Sequence, residues 1–180
     1  MLLFINKPTG AEMTKVPVKI FNTSKHPNPK YTFFSDPGCD VMASMPHTKF
    51  NFEAGLGQDW IYDEKTNQVT IKPGGRALIG TGIHCEIPIG YEIAIRPRSG
   101  LALKHGITIL NSPALIDPGY RGEFGVILIN HSNQDFVISD GDRIAQFVLN
   151  KIPQIIWVDV DDISKLSSHN RGGGLGHSDR

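Results

Sequence analysis

Residues 107–130 read ITILNSPALIDPGYRGEFGVILIN: two apolar, largely β-branched runs, Ile107–Leu110 and Phe124–Asn130, set apart by a segment of turn formers. β-branched residues at this density suit a pleated, half-buried surface. Between the runs, Asn111–Gly122 carries the Pro118-Gly119 pair, the carboxylate of Asp117, the ring of Tyr120 and the guanidinium of Arg121. Pro followed by Gly supplies turn geometry. The segment therefore reads as a β-hairpin, and an acid at its neck is held rigidly enough to be aimed at a ligand. A surface hairpin with a capping Asp would use the same residues.

Outward from this segment the same rhythm continues. Gly (19) and Pro (12) punctuate short runs rich in Val, Ile, Thr and Phe along the whole chain. Candidate strands are Val16–Phe21, Val69–Ile71, Arg76–Thr81, Tyr91–Ile95, Phe136–Ile138 and Ala145–Ile152, besides the two already quoted. Many short strands at regular turn spacing predict an all-β sandwich or barrel. Helical periodicity is confined to a turn or two at Ser99–His105 and a weak pattern around Asp161–Leu166. Two stretches break the rhythm. Residues 46–72 read as an insertion, with Trp60-Ile61-Tyr62, a turn at Asp63–Asn67 and then a strand. Residues 167–180 (SSHNRGGGLGHSDR) form a glycine-rich arm, expected to be mobile by itself. The predicted organisation is one domain over 1–166 with a terminal arm at 167–180.

Bulk properties exclude several classes. The 180 residues suit one domain, and 39% hydrophobic with 20% charged residues suits a globular protein. Eighteen basic and 18 acidic residues leave no net field to favour nucleic acid. The longest apolar runs, such as Val126–Ile129, are too short to span a bilayer. The opening Met1–Ile5 run stops at Asn6-Lys7, too short for a leader. Cys39 and Cys85 make neither a metal spacing nor a disulfide scaffold, so a reduced, cytoplasmic setting is expected.

Three further constellations carry chemistry. Ile95–Ala102 (IRPRSGLA) places Arg98, Ser99 and Gly100 where a strand gives way to a helical turn. Amides at a helix start, a hydroxyl and a guanidinium suit an anionic phosphate, although Ser99 could equally be a helix N-cap. Gly141–Gln146 (GDRIAQ) offers Arg143 and Gln146 as further donors at a turn. Asp40, in GCDVMA, offers a carboxylate to the waters of a hydrated Mg²⁺.

In order and content these segments, with the terminal RGGGLG, resemble the five motifs of the trimeric dUTP diphosphatases (dUTPases), from about residue 16 to the C-terminus. The resemblance implies a jelly-roll-like β-barrel that forms a homotrimer with active sites shared between chains. It implies hydrolysis of dUTP to dUMP and pyrophosphate with Mg²⁺, Asp117 being the base that activates water for in-line attack on the α-phosphorus. Asn111 and the hairpin, Ile116 included, would read uracil. Tyr120 would lie under the deoxyribose and leave no space for a 2′-hydroxyl. Arg98, Ser99, Gly100 and Gln146 would hold phosphates, and Asp40 would orient a Mg²⁺-bound water. Arg171, Gly174, Leu175 and Gly176 would close over the nucleotide. Leu175 stands where that family carries a phenylalanine.

Two alternatives compete. The related dCTP deaminases share the barrel and an Ile-Asp-Pro-Gly-aromatic hairpin, which Pro118 matches. They place a glutamate proton shuttle in the next strand, where this chain has Ile127, and read RSSLA where this chain reads RSGLA. The other alternative is a regulatory or interaction protein on the same barrel, with 46–72 as its partner surface.

Overall fold

The computed structural model describes residues 13–45 and 60–166. Among them the chain forms twelve short strands: β1 (Lys19–Asn22), β2 (Cys39–Met42), β3 (Trp60–Asp63), β4 (Gln68–Ile71), β5 (Arg76–Ile79), β6 (Ile83–Glu86), β7 (Tyr91–Arg96), β8 (Ile107–Ile109), β9 (Ala114–Ile116), β10 (Val126–Asn130), β11 (Phe136–Ser139) and β12 (Arg143–Lys151). The helix α1 (Ser99–His105) lies between β7 and β8, and a 3-10 turn occupies Ile163–Lys165. The architecture is all-β and jelly-roll-like.

The strands pair antiparallel in four small sheets, ordered β2-β12-β7-β9, β5-β10-β8, β11-β4-β3 and β1-β6. Alternation decides which side chains face inward. In β10, Val126, Leu128 and Asn130 are buried while Ile127 and Ile129 are only half covered. Val69 and Ile71 of β4, Ile79 of β5 and Ile138 of β11 join Phe124 at zero exposure, forming one continuous core. The stretch read as an insertion is therefore sheet from Trp60 onward: β3 and β4 make a hairpin, and β4 pairs on to β11. Residues 46–59 lie outside the described residues, as does the arm at 167–180.

The segment 107–130 differs from a simple hairpin. β8 and β10 do pair, with Ile109 opposite Leu128, and Leu110 donates its amide to Ile127 at 2.9 Å. The chain then leaves that sheet. Ala114–Ile116 becomes β9 and pairs with β7, with Ile93 opposite Ile116. Three residues among turn formers carry no strand signal of their own. The open edge of β7 makes them a strand.

β12 contains a bulge between Arg143 and Ala145, where the register against β2 shifts. Its consequence is specific. Residues three apart in a regular strand face opposite sides, but one extra residue restores both to the same side. Arg143 and Gln146 thus turn toward the same partner on β2, Asp40.

Past β12 the chain runs on without cover. Every residue from Pro153 to Leu166 is exposed, and Ile156, Trp157 and Val158 are each more than 80% exposed. Among the described residues, no helix is long and apolar enough to cross a membrane.

Asn130 ties the end of β10 to its surroundings with a fully buried amide. Its Nδ2 donates to the carbonyls of Ile71 (2.9 Å) and Gln134 (2.8 Å), and its Oδ1 accepts from the Ser132 amide and hydroxyl. Removing it leaves the buried Ile71 carbonyl and the 132–134 loop without this partner. Asn130→Ala is expected to lower unfolding free energy by about 2–4 kcal/mol. Urea denaturation checks this, and a loss below about 1 kcal/mol contradicts the role assigned to the amide.

Candidate active site

The turn after β9 opens a cleft of about 260 Å³. Asn111, Ile116, Asp117 and Tyr120 line it together with Leu78, Ile95 and Ile127. Ligand pockets for drug-sized molecules start near 300 Å³, so this one suits a base and a sugar but not a whole triphosphate. Asp117 follows the last residue of β9 and its side chain is exposed. The turn closes with the Tyr120 amide on the Asp117 carbonyl at 3.1 Å. Arg121 folds back on the same turn, donating Nη1 to the carbonyls of Pro118 and Tyr120.

Glu123 anchors this loop to the body. Its Oε1 accepts from the backbone amides of Thr81 (2.9 Å) and Gly82 (2.7 Å), two successive donors gathered on one carboxylate oxygen. The Thr81 hydroxyl donates to the Phe124 carbonyl, and the Tyr120 hydroxyl donates to the Glu123 carbonyl at 3.0 Å. Glu123 is thus a cleft acid already engaged, whereas Asp117 points to solvent.

A second polar group gathers on Asp40. Oδ1 accepts from Arg98 Nε (3.3 Å) and Gln146 Nε2 (3.1 Å), while Oδ2 accepts from Arg143 Nη1 (3.1 Å). Arg98 also donates Nη1 to the Arg143 carbonyl at 2.9 Å. These pairs are partly open to water, with Arg143 more than half exposed, so they contribute little to stability. Their effect is geometric: the carboxylate holds two guanidiniums and an amide side by side. Ser99 and Gly100 follow directly as the exposed first residues of α1. Arg98, not Ser99, takes the N-cap position, and its side chain makes no cap bond.

The two groups sit far apart within one chain. Arg96, Gln146 and Asp40 are level across β7, β12 and β2. Ile116 of β9 is level with Ile93, which puts Asp117 beside the level of Glu92. Four residues along β7 and three strand spacings across the sheet separate Asp117 from Asp40, about 13 Å by 14 Å, or about 19 Å in all. No side chain bridges that distance. Among the expected site residues, Asn111, Ile116, Asp117 and Tyr120 thus form one cluster, and Asp40, Arg98, Ser99, Gly100 and Gln146 another. Arg171, Gly174, Leu175 and Gly176 lie outside the described residues. Sequence reasoning missed Glu123, Leu78 and Ile95. Glu123 reaches amides 41 and 42 residues away, which no local pattern announces.

This arrangement defines a β-barrel protein with an acid-bearing nucleoside-sized cleft and a separate polar edge where Asp40 holds two arginines and Gln146, and comparison with known proteins agrees. The model of the dUTPase family matches residues 53–178. The deoxyuridine 5′-triphosphate nucleotidohydrolase of Finegoldia magna is 42% identical over 161 residues, covering 89% of this chain and 97% of that one. Its counterpart in Nautilia profundicola is 55% identical over 106 residues, covering 59% and 72%. Among solved structures, a Staphylococcus bacteriophage 80alpha dUTPase superposes with a TM-score of 0.69 at 22% identity, covering 92% of this chain and 100% of that one. A dUTPase from phage phi11 of S. aureus, described with a structural Mg(II) ion, superposes at 0.64 with 19% identity, covering 82% and 98%. The chain belongs to the dUTPase family.

Glu123→Ala removes the acceptor that ties the loop down. We expect a loss of about 1–3 kcal/mol in stability and faster amide hydrogen exchange confined to 117–122 and the Thr81–Gly82 turn. Unchanged exchange there would contradict the anchoring role.

Proposed function

We propose that this protein is a homotrimeric dUTP diphosphatase that hydrolyses dUTP to dUMP and pyrophosphate with Mg²⁺. The observation that carries the reading is the cleft, where an exposed Asp117 faces the same space as Asn111 and Tyr120. Apart from Glu123 its remaining walls are apolar, and Ile127 is one of them. A cytidine deaminase needs a carboxylate to shuttle protons at the base, and this wall offers a hydrocarbon in its place. Glu123 does not substitute, because two backbone amides already hold it.

In the proposed reaction Asn111 and the backbone around Ile116 read the uracil edge, and Tyr120 lies against the deoxyribose. Asp117 takes a proton from the attacking water as its oxygen bonds to the α-phosphorus. The bond from that phosphorus to the bridging oxygen breaks, and pyrophosphate leaves. Phosphoryl transfer of this kind depends on positioning and charge neutralisation more than on covalent chemistry. Arg98, Gln146 and the start of α1 at Ser99 and Gly100 supply donors to the phosphates. Among the described residues, a Cβ at Gly100 would meet nothing within 4 Å, which supports a ligand approaching that side of the turn. Arg171, Gly174, Leu175 and Gly176 are proposed to close over the nucleotide.

Among the described residues no group of three or more acids, histidines or cysteines forms a metal cage. Asp40 is already engaged by two arginines and Gln146. Asp40 would hold a hydrated Mg²⁺ through one of its waters. When bound, the ion neutralises phosphate charge.

The separation of the two clusters supports shared sites. With Asp117 and the Asp40 cluster about 19 Å apart in one chain, a site that uses both draws on a second copy. The uncovered apolar segment Ile155–Val160 supports such an assembly.

The reading predicts pyrophosphate release from dUTP far faster than from dCTP, dTTP or UTP; release from dCTP at a comparable rate, or ammonia from dCTP, would overturn it. Asp117→Asn is expected to lower kcat at least about a hundredfold while retaining dUTP binding. For the shared site, inactive Asp117→Asn and Arg98→Ala proteins are unfolded together and refolded as a mixture. Hybrid trimers should regain activity that neither parent has. A trimer by mass that regains none would show that Asp117 and Arg98 act from the same chain.

A further inference from the structure

Gly122 is the point at which this loop has no room for a side chain. A Cβ there would overlap the Tyr120 hydroxyl oxygen and lie 2.5 Å from Cζ and 3.0 Å from Cε2 of the same ring. The backbone does not require glycine: Gly122 is not among the glycines with left-handed φ, unlike Gly82 (φ 69) or Gly141 (φ 88). At such a position alanine ordinarily stabilises a protein, by restricting the unfolded chain. The three atoms that such a Cβ would meet first all belong to the Tyr120 ring.

That fold-back sets the orientation of the ring. The Tyr120 hydroxyl donates to the Glu123 carbonyl at 3.0 Å, and its centroid lies 6.0 Å from that of Phe124. Phe124 is fully buried and meets Phe147 edge-on at 5.7 Å, so the surface beneath Tyr120 cannot give way. Glu123 is fixed in turn by Thr81 and Gly82. The ring is therefore confined by a hydroxyl bond at one end, a rigid aromatic beneath, and vacant volume over Gly122. Only the last depends on an absent side chain. Tyr120 also lines the cleft.

We propose that Gly122 is a positioning residue for sugar selectivity, holding open the volume into which Tyr120 folds so that its ring stands where a 2′-hydroxyl would be. The inference rests on the reading of Tyr120 as the sugar-facing residue. Gly122 touches no substrate and acts only through that ring. Any side chain at 122 pushes the ring toward the cleft or out of it, and the deoxyribose-shaped surface is lost in either case.

The test is a double-mutant cycle read as the ratio of kcat/KM for dUTP to that for UTP, in wild type, Gly122→Ala, Tyr120→Leu and the double variant, with thermal melts of each. Gly122→Ala should lower the ratio roughly tenfold or more, the scale on which pocket shape discriminates substrates. The double variant should match Tyr120→Leu within about twofold rather than show the product of the two losses. A general loosening of the loop would instead depress both nucleotides alike and leave the ratio unchanged. If Gly122→Ala fails to fold, the double variant should fold, since the overlapping ring is gone; an unfolded double variant overturns the inference. So does a ratio for Gly122→Ala within twofold of wild type, or multiplicative losses. If Tyr120→Leu itself keeps the ratio, the sugar reading of Tyr120 fails and takes the inference with it. A low ratio in Tyr120→Leu beside a normal one in Gly122→Ala sinks the inference alone.

Discussion

Hydrogen-bond register in the sheet β2-β12-β7-β9 is the constraint on which the rest of this molecule depends. It places Asp117 at one edge and level with Glu92, and Asp40 at the other edge and level with Arg96. A strand cannot be shortened or slid by one residue without turning its buried face outward, so the separation of about 19 Å is built in. That separation supports the proposal that the acid and the basic cluster meet on one substrate from different chains. The exposed run from Ile155 to Val160 fits the same logic. Apolar surface left bare by its own chain lowers its free energy by being covered, and a second copy is the partner every such protein meets.

Within that frame the two halves of the site are held by different means. The Asp40 cluster is a set of partly exposed ion pairs whose contribution to stability is small. It is organised by the bulge in β12, which brings Arg143 and Gln146 to one side of the strand. The Asp117 loop is held by burial: Phe124 in the core, Glu123 on two amides, Tyr120 on both. The difference suits the chemistry proposed for each. Phosphates tolerate flexible donors, whereas discriminating one hydroxyl from none needs a wall that does not move.

Much of this was legible in the sequence. Phe124–Asn130, Tyr91–Ile95 and Phe136–Ile138 were readable as strands because β-branched and aromatic residues recur there between turn formers, and each lies in a strand or directly beside one. Ile127 was readable as a departure from the deaminase pattern, and it does face the cleft. Ile83–Glu86 and Ala114–Ile116 were not legible as strands. The first mixes His, Cys and Glu with a single Ile, and the second sits among turn formers; each becomes a strand only through a partner. The hairpin expected at 111–122 was for the same reason a detour into a second sheet. Within the stretch read as an insertion, the turn at Asp63–Asn67 was legible from local residues, whereas the burial of Val69 and Ile71 in the core was not.

The sequence by itself determined which groups are available: one acid, one tyrosine and one asparagine in a turn-rich segment, and arginines, a glutamine and an aspartate elsewhere. Their residue types and order suffice for membership in the family. Tertiary structure alone decided that these groups form two separate clusters within one chain, that Glu123 is held by two backbone amides, and that a Cβ at Gly122 would meet the Tyr120 ring. Each of those facts depends on distances between strands or on the position of a folded ring. Such distances arise only when segments far apart in the chain are brought into register.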